Sequence, residues 1–472
     1  MNFSIKNSKQ FSIIIIAIAL AGFFIRFVNI NYASLWADEL YSALLASPNN
    51  SWYEVLYLQR AYQPPLYAFG LWVWVKIFAY NEFYIRLFTL LGGAACIYVS
   101  GLLGKKLHSM RLGLIMAVIV AFNPVQIWYS LEARFYVFVY LFSALSLLLY
   151  WHIITNKKTP VWLYLVKAVV DAALCYFHHF GIIFLFAQFV YDLFLLIKTK
   201  DRIAFLKKLA GNILAALLYL PWVLWGLTEA MKVQQYWLKE INIPQYFGFS
   251  FQYPVAINLL CMGLIGLFLY RAIKDKSRYL LFPLICLVVT LVPVIYSYIK
   301  MPMLVARYAM VMAPTLYAML GLGMLYALQM IEKFAARWYK PVVVLFLLLI
   351  VLPGLNLSFI NKEKLDKQPW REMGQWLNAQ PDIQQVNIYS KGAFVKQTKN
   401  IDFYLKEGLH SYHVNDIKPN ADKKMYLIET TSIWQIKDSV LQRLDSFYHI
   451  RKQSFNQGTA NFGNIYICTQ KP

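Results

Sequence analysis

The chain has 472 residues, of which 60% are hydrophobic, 17% aromatic and only 14% charged. With a mean hydropathy of +0.48, this composition excludes an ordinary soluble globular protein and indicates a chain that crosses a membrane several times. The formal net charge of +22 would suggest nucleic-acid binding in a soluble protein, but here the basic residues lie in short clusters between apolar segments, as in cytoplasmic loops of membrane proteins.

The first apolar segment, residues 11–28, is long enough to cross a bilayer as a helix. Lys6 and Lys9 precede it, so the N-terminus is expected in the cytoplasm. No small-residue cleavage site follows the segment, which predicts that it is retained and not removed as a signal peptide.

Two adjacent carboxylates, Asp38 and Glu39, follow this segment and are expected at the water boundary on the far side of the membrane. Acidic groups beside hydrocarbon favour proton transfer or cation binding over simple solvation. A carboxylate at a helix end is often only a cap, and for Glu39 that alternative stays open.

Hydropathy predicts ten further spans, which makes eleven in all. They cover residues 84–103, 112–128, 135–154, 161–177, 182–197, 209–225, 255–270, 279–299, 308–330 and 342–359. Residues 65–80 are too short for a full span and rich in Trp and Tyr, so they are expected in the membrane interface.

The loops between these spans support the count. With a cytoplasmic N-terminus, nearly every basic cluster of the membrane part falls on the inside, as the positive-inside rule requires. The same alternation places residues 29–83 and residues 361–472 outside the cytoplasm.

The C-terminal segment has a lower hydropathy than the rest and the pattern of a small soluble α/β domain. Helical periodicity occurs in residues 370–377 and 433–447, and short strand patterns occur in residues 386–389, 424–428 and 464–468. The sequence therefore predicts an all-α polytopic membrane domain over residues 1–360 and an extracytoplasmic α/β domain over residues 361–472.

Several unusual polar residues fall on the outer side under this topology, which favours one shared site. They are Asp38, Glu39, Gln63, Glu132, Arg134, His178, His179, Arg307 and Tyr308. Each also has a structural explanation: Glu132 and Arg134 could anchor a span, Arg307 could extend its charge toward water, and the histidines could be interfacial rings.

The sequences of these segments and their order along the chain resemble those of a known family. The motifs that carry the resemblance are Trp36-Ala37-Asp38-Glu39, Gln63-Pro64-Pro65-Leu66-Tyr67, Tyr129-Ser130-Leu131-Glu132-Ala133-Arg134-Phe135-Tyr136 and Tyr176-Phe177-His178-His179-Phe180. Over residues 29–225 the chain resembles bacterial glycosyltransferases of the GT-C fold that use polyprenyl-phosphate sugars, the relatives of protein O-mannosyltransferases and aminoarabinose transferases. Aminoarabinose transferases carry a Lys before the two prolines where this chain has Gln63, which argues against their substrate.

The resemblance implies transfer of a sugar from a polyprenyl-phosphate donor to a lipid, glycan or protein acceptor, at the outer face of the bacterial cytoplasmic membrane. It implies that residues 29–83 form a catalytic outer loop with Asp38 as the general base. Arg134 and Arg307 are expected to stabilise the lipid phosphate, because a guanidinium matches phosphate geometry.

The remaining site residues have less specific expected roles. Glu39 and Glu132 are expected near the reacting groups, and the residues expected around the substrate or its phosphate are Tyr308, His178, Gln63 and Tyr67. Metal dependence varies among GT-C enzymes, so a divalent cation bound by Glu39, Glu132 and His178 stays open.

Two other functions stay open at this point. A polysaccharide polymerase or ligase with a diphosphate-linked donor could share the topology and the arginines. A flippase for lipid-linked sugars is also conceivable, but transporters place ionisable groups near the bilayer midplane and often contain repeats, and neither feature is visible here.

Overall fold

The computed structural model describes residues 7–59, 63–156, 158–227, 246, 252–300, 302–360, 367–391, 400–418, 421–430, 436–457 and 461–472. Within them the chain divides into two compact units. The first contains Met1–Val28, Gln59–Gly70 and Phe88–Ser358, and the second contains Asn29–Leu58, Leu71–Leu87 and Phe359–Pro472. Lys6, Lys157 and the start of the predicted helix at residues 433–447 lie outside the described residues.

The described residues of the membrane part are mainly helical. The α-helices among them are α1 Ser8–Phe27, α2 Ala37–Leu45, α3 Trp52–Gln59, α4 Leu66–Ile77, α5 Glu82–Leu107, α6 Met110–Phe122, α7 Pro124–Ser130, α8 Tyr136–Thr155, α9 Val161–Phe177, α10 Phe180–Thr199, α11 Arg202–Trp222, α12 Val255–Lys274, α13 Leu281–Ile299, α14 Ala313–Phe334 and α15 Tyr339–Leu355. Short 3-10 segments at Arg278–Leu280, Ala306–Val311 and Ala336–Trp338 precede α13, α14 and α15.

Nine helices in the described ranges are long and apolar enough to cross a membrane, and the bent pair of α6 and α7 would be a tenth. The one remaining predicted span, residues 161–177, corresponds to α9, a helix of 17 residues that carries Lys167 and Asp171. Helix α4 has 12 residues and thus a length of about 18 Å, too short to span. The prediction of a multi-pass α-helical membrane protein is confirmed.

The bend of 60° between α6 and α7 falls inside the span predicted at residues 112–128. Pro124 has no N–H to continue the helix, and the Asn123 side chain caps α7 by accepting from Val125 N at 2.9 Å. The carbonyls of Val120 and Ala121 are instead bound by the buried Arg26 of α1, at 2.9 and 2.8 Å. Arg26 therefore satisfies backbone groups that the break releases.

The C-terminal part of the second unit is α/β, as predicted. It contains α16 Trp370–Asn378, β1 Asn387–Ser390, β2 Ser411–His413, β3 Lys424–Thr430, α17 Asp438–Asp445, β4 Tyr448–Gln457 and β5 Asn461–Gln470. The strands form one sheet of order β2-β1-β3-β5-β4, in which β1 runs parallel to β2 and β3 and the other pairs are antiparallel. One face is closed by an apolar core that includes Met425, Leu427, Leu444, Tyr448 and Cys468.

Candidate active site

The predicted site residues are distributed over both compact units. Asp38 and Glu39 belong to the second unit. The others belong to the first unit, and they are Gln63, Tyr67, Glu132, Arg134, His178, Arg307 and Tyr308.

In the first unit, the site is built around the irregular turn that joins α7 to α8. Glu132 and Arg134 lie in this turn with only 3% and 4% of their surface exposed. The Arg134 guanidinium donates from Nη2 to Gln63 Oε1 at 3.0 Å, and the Trp128 indole donates to Glu132 Oε2 at 3.2 Å. The turn thus holds both charged side chains inside the unit.

His178 lies between α9 and α10 and is buried beside these groups. Burial lowers the pKa of its imidazole well below the usual value, and His179, Arg134 and Arg307 lower it further. The Phe180 backbone N–H donates to His178 Nδ1 at 3.1 Å, so Nδ1 is unprotonated and the neutral ring carries its proton on Nε2.

An aromatic ring lies close to each of the two arginines. The Arg134 guanidinium lies 5.0 Å from the centre of the Phe135 ring, and that of Arg307 lies 5.6 Å from the centre of the Tyr136 ring. Tyr308 packs on His178 with ring centres 4.4 Å apart. Tyr67 is buried among other rings, with its centre 6.4 Å from that of Phe135.

The guanidinium groups of Arg134 and Arg307 therefore both lie near the neutral imidazole of His178, in a mostly apolar environment. Such an arrangement suits an anion, because a guanidinium binds phosphate or carboxylate oxygens through several N–H groups and does so more strongly away from water. A neutral imidazole adds one N–H donor there without adding charge.

In the second unit, Asp38 and Glu39 occupy the first turn of α2. Glu39 is fully buried and accepts from the Trp36 backbone N–H at 3.1 Å, which completes the cap of the helix. Asp38, at the preceding position, is only half-buried. The neighbouring carboxylates thus differ in their access to other molecules.

Glu39 is held by two cations. Arg86 donates to its two oxygens from Nε at 3.2 Å and from Nη2 at 3.1 Å, and Lys367 Nζ lies 2.9 Å from Oε2. Arg86 also donates to the carbonyls of Ile30 and Ser34 at 3.1 and 2.9 Å, just before α2. The Arg86–Glu39 ion pair therefore fixes the backbone next to Asp38.

A second ion pair ties the same loop to the C-terminal segment. Arg371 donates to both oxygens of Glu82, at 2.9 and 2.6 Å, and to the carbonyl of Ala33 at 2.8 Å. Sequence reasoning did not select Arg86, Glu82, Lys367 or Arg371 as site residues. Glu82 and Arg86 lie four residues apart at the start of a span, and this spacing is a sequence pattern that predicts an ion pair between them.

Glu39, Glu132 and His178 are the predicted candidates for a divalent cation. The Glu39 carboxylate is bound to Arg86 and Lys367, and the described residues contain no group of three or more His, Cys, Asp or Glu side chains that could hold a metal ion. The candidates therefore do not form a metal centre within the described part of the chain.

No protein-family model and no curated protein matches the chain. Among solved structures, ArnT from Cupriavidus metallidurans bound to undecaprenyl phosphate is 12% identical and covers 97% of this chain and 98% of its own, with a TM-score of 0.63. Its apo structure gives a TM-score of 0.62 at 12% identity, over 96% of this chain and 97% of its own.

The archaeal oligosaccharyltransferase AglB from Archaeoglobus fulgidus, solved with an inhibitory peptide and a dolichol-phosphate, is 14% identical with a TM-score of 0.51. That match covers 80% of this chain and 59% of the archaeal chain. The chain therefore has the GT-C fold that these structures share, which confirms the fold expected from its sequence motifs.

Proposed function

We propose that the chain is a membrane glycosyltransferase that moves a sugar from a polyprenyl-phosphate donor to a lipid, glycan or protein acceptor. The observation that carries this proposal is the likeness, over nearly the full length of both chains, to ArnT bound to undecaprenyl phosphate. The buried Arg134 and the half-buried Arg307 of the first unit support it, because the donor presents a phosphate.

Arg134 and Arg307 have the role of stabilising the leaving group. When the bond between the anomeric carbon and the phosphate oxygen breaks, the electron pair stays on that oxygen and the lipid phosphate gains negative charge. Guanidinium groups placed where charge develops lower the barrier. The Nε2–H of the neutral His178 adds a donor; the Tyr308 ring packs on His178, and the Tyr67 ring packs near Phe135.

Asp38 has the role of general base. It accepts the proton of the acceptor hydroxyl as that oxygen bonds to the anomeric carbon, so the step releases polyprenyl phosphate and the glycosylated acceptor. Glu39 has no such role, because both of its oxygens are engaged by cations; it is a positioning residue for Asp38. Glu132 shapes the sugar pocket beside Arg134.

The reaction takes place at the outer face of the bacterial cytoplasmic membrane in this proposal. The distribution of Lys and Arg supports a cytoplasmic N-terminus and an external second unit. The product would then belong to the cell envelope.

The test is release of undecaprenyl phosphate by purified protein from a panel of synthetic undecaprenyl-phosphate sugars, with candidate acceptors present. We expect release with at least one donor, and a fall of roughly 100-fold or more in Arg134→Gln, the typical effect of removing a charge-stabilising donor. The matched control is Arg443→Gln, an exposed arginine of α17, which should leave the rate unchanged.

Two outcomes would overturn the proposal. Turnover only with diphosphate-linked sugars would identify a polymerase or ligase. Movement of lipid-linked sugar across liposomes, without release of undecaprenyl phosphate from any donor, would identify a flippase.

A further inference from the structure

We propose that a groove on the C-terminal sheet, beside α16, binds an anionic glycan, a saccharide that carries carboxylate or phosphate groups. The site is a groove of about 510 Å³ between α16 and strands β3, β5 and β4. The argument uses six of its lining residues, which are Trp376, Gln380, Lys424, Arg451, Gln453 and Thr469.

The strand register places these side chains on one face. Lys424 pairs with Thr469, and Thr469 pairs with His449, while Arg451 pairs with Ile467. Because side chains alternate across a strand, these positions share the face opposite to Met425 and Cys468, which belong to the apolar core. This face also buries apolar side chains, among them Tyr426, Ile428 and Ile465, and at the groove beside α16 it presents the polar side chains of Lys424, Arg451, Gln453 and Thr469.

Trp376 supplies an aromatic surface at the edge of the groove. Its ring meets those of Tyr426 and Phe455 edge-on, with centres 5.8 and 6.3 Å apart, and it is only partly buried. An ordered indole offers an apolar face for the C–H groups of a sugar ring and loses little conformational freedom on binding.

The polar side chains match sugar hydroxyls. Gln380, Gln453 and Thr469 supply amide and hydroxyl groups that both donate and accept hydrogen bonds. Gln380 is oriented by donating from Nε2 to the Trp376 carbonyl at 2.9 Å. A groove with one aromatic surface and several such groups suits a saccharide better than an apolar ligand.

The charge of the groove selects an anionic saccharide. Lys424 is paired with Asp382 at 2.6 Å, whereas Arg451 is exposed and forms no ion pair with any described residue. The positive charge of Arg451 therefore remains for a ligand, and a guanidinium suits the planar carboxylate or the phosphate of a modified sugar.

This inference rests on the proposed function in one respect, namely that the bound glycan is the acceptor or part of it. Binding itself needs no donor, so it is measured with the full chain in nanodiscs and no lipid-linked sugar. The probes are hexagalacturonate, which carries a carboxylate on every ring, and the uncharged cellohexaose.

We expect hexagalacturonate to bind at least tenfold more tightly than cellohexaose, and more weakly as the salt concentration rises. Arg451→Glu should weaken its binding roughly tenfold or more. The matched control is Lys452→Glu, which makes the same change of charge on the same strand but on the opposite face, and should change the affinity less than twofold.

Equal affinity for the two probes, no binding of hexagalacturonate, or equal effects of the two substitutions would overturn the inference. The Asp38→Asn protein separates this inference from the proposed function, because it should bind hexagalacturonate normally. Binding without sugar transfer from any donor would leave the groove established and overturn only its role as an acceptor site.

Discussion

Asp38 and Glu39 are neighbours with different surroundings, and this difference carries the assignment of their roles. Glu39 is buried between Arg86 and Lys367, while Asp38 keeps part of its side chain accessible. The sequence predicts that this carboxylate pair matters. It could not divide the roles, because Lys367 lies 328 residues away along the chain.

Glu39→Gln should destabilise the protein. The substitution removes the charge that Arg86 and Lys367 share and leaves two buried cations with a neutral partner, which typically costs about 3–5 kcal/mol. Chemical denaturation in detergent measures the loss. Glu407→Gln, at an exposed position, is the control and should stay within about 0.5 kcal/mol of the parent. An equal effect of both substitutions would contradict the structural role of Glu39.

The buried His179 predicts a specific pH dependence of stability. Burial lowers the pKa of His179 to about 4, below its value in the unfolded chain, so the unfolded state binds more protons at mildly acidic pH. The favourable contribution of the neutral ring is complete above about pH 6.5 and is lost as the pH falls toward about 4.

The measurement is the melting temperature between pH 7.5 and pH 4.5, in the parent and in His179→Gln. The variant should lose less stability than the parent over this interval. Parallel curves would show that His179 does not contribute to the pH dependence.

At the scale of helices, the sequence predicts where spans lie. It does not predict which side chain binds the carbonyls released at a break, or which charged residues within the spans form ion pairs. The break at Asn123–Pro124 has a local signal in the proline, yet the partner of the released carbonyls is Arg26, about a hundred residues earlier. Charged residues inside α9, α10 and α11 were likewise visible, but not their pairing. Lys167 binds Asp171, and Lys208 Nζ lies 2.5 Å from Asp192 Oδ1.

The Lys208–Asp192 ion pair joins α10 to α11. Substitutions of its two residues should therefore have non-additive effects on the free energy of unfolding. Lys208→Met leaves the buried Asp192 carboxylate with the Tyr150 hydroxyl at 2.8 Å but without its cation, so we expect a loss of about 3 kcal/mol. Lys208→Met combined with Asp192→Asn should be more stable than Lys208→Met alone.

The control for this pair is Lys207→Met, an exposed lysine one position earlier, which should have little effect. Thermal unfolding in detergent is measured for the parent, Lys208→Met, Asp192→Asn, the double variant and the control Lys207→Met. Additive effects of the two substitutions would contradict a coupled buried pair.

At the scale of the whole chain, hydropathy predicts the class of fold correctly, because the bilayer imposes long apolar helices. In the second unit, β1, β3 and β5 were predicted, but β2 and β4 were not. Strand β2 has only three residues, and β4 reads Tyr448-His449-Ile450-Arg451-Lys452 with few apolar positions, so its pattern is weak.

The proposed topology predicts which positions can be labelled from outside the cell. All five native cysteines are buried, so single cysteines introduced at exposed positions should dominate the labelling. Ser51→Cys and Ser446→Cys should react with a membrane-impermeant maleimide in intact spheroplasts, whereas Lys198→Cys should react only after lysis. The opposite pattern would invert the topology and place the second unit in the cytoplasm.

The most direct test of the proposed function is single-turnover sugar transfer by Asp38→Asn, with binding of undecaprenyl phosphate measured on the same sample. We expect transfer to fall by about 10²–10⁴, the usual contribution of a general base, with the affinity for undecaprenyl phosphate unchanged. Transfer at the parental rate would contradict the assignment of Asp38 as the general base.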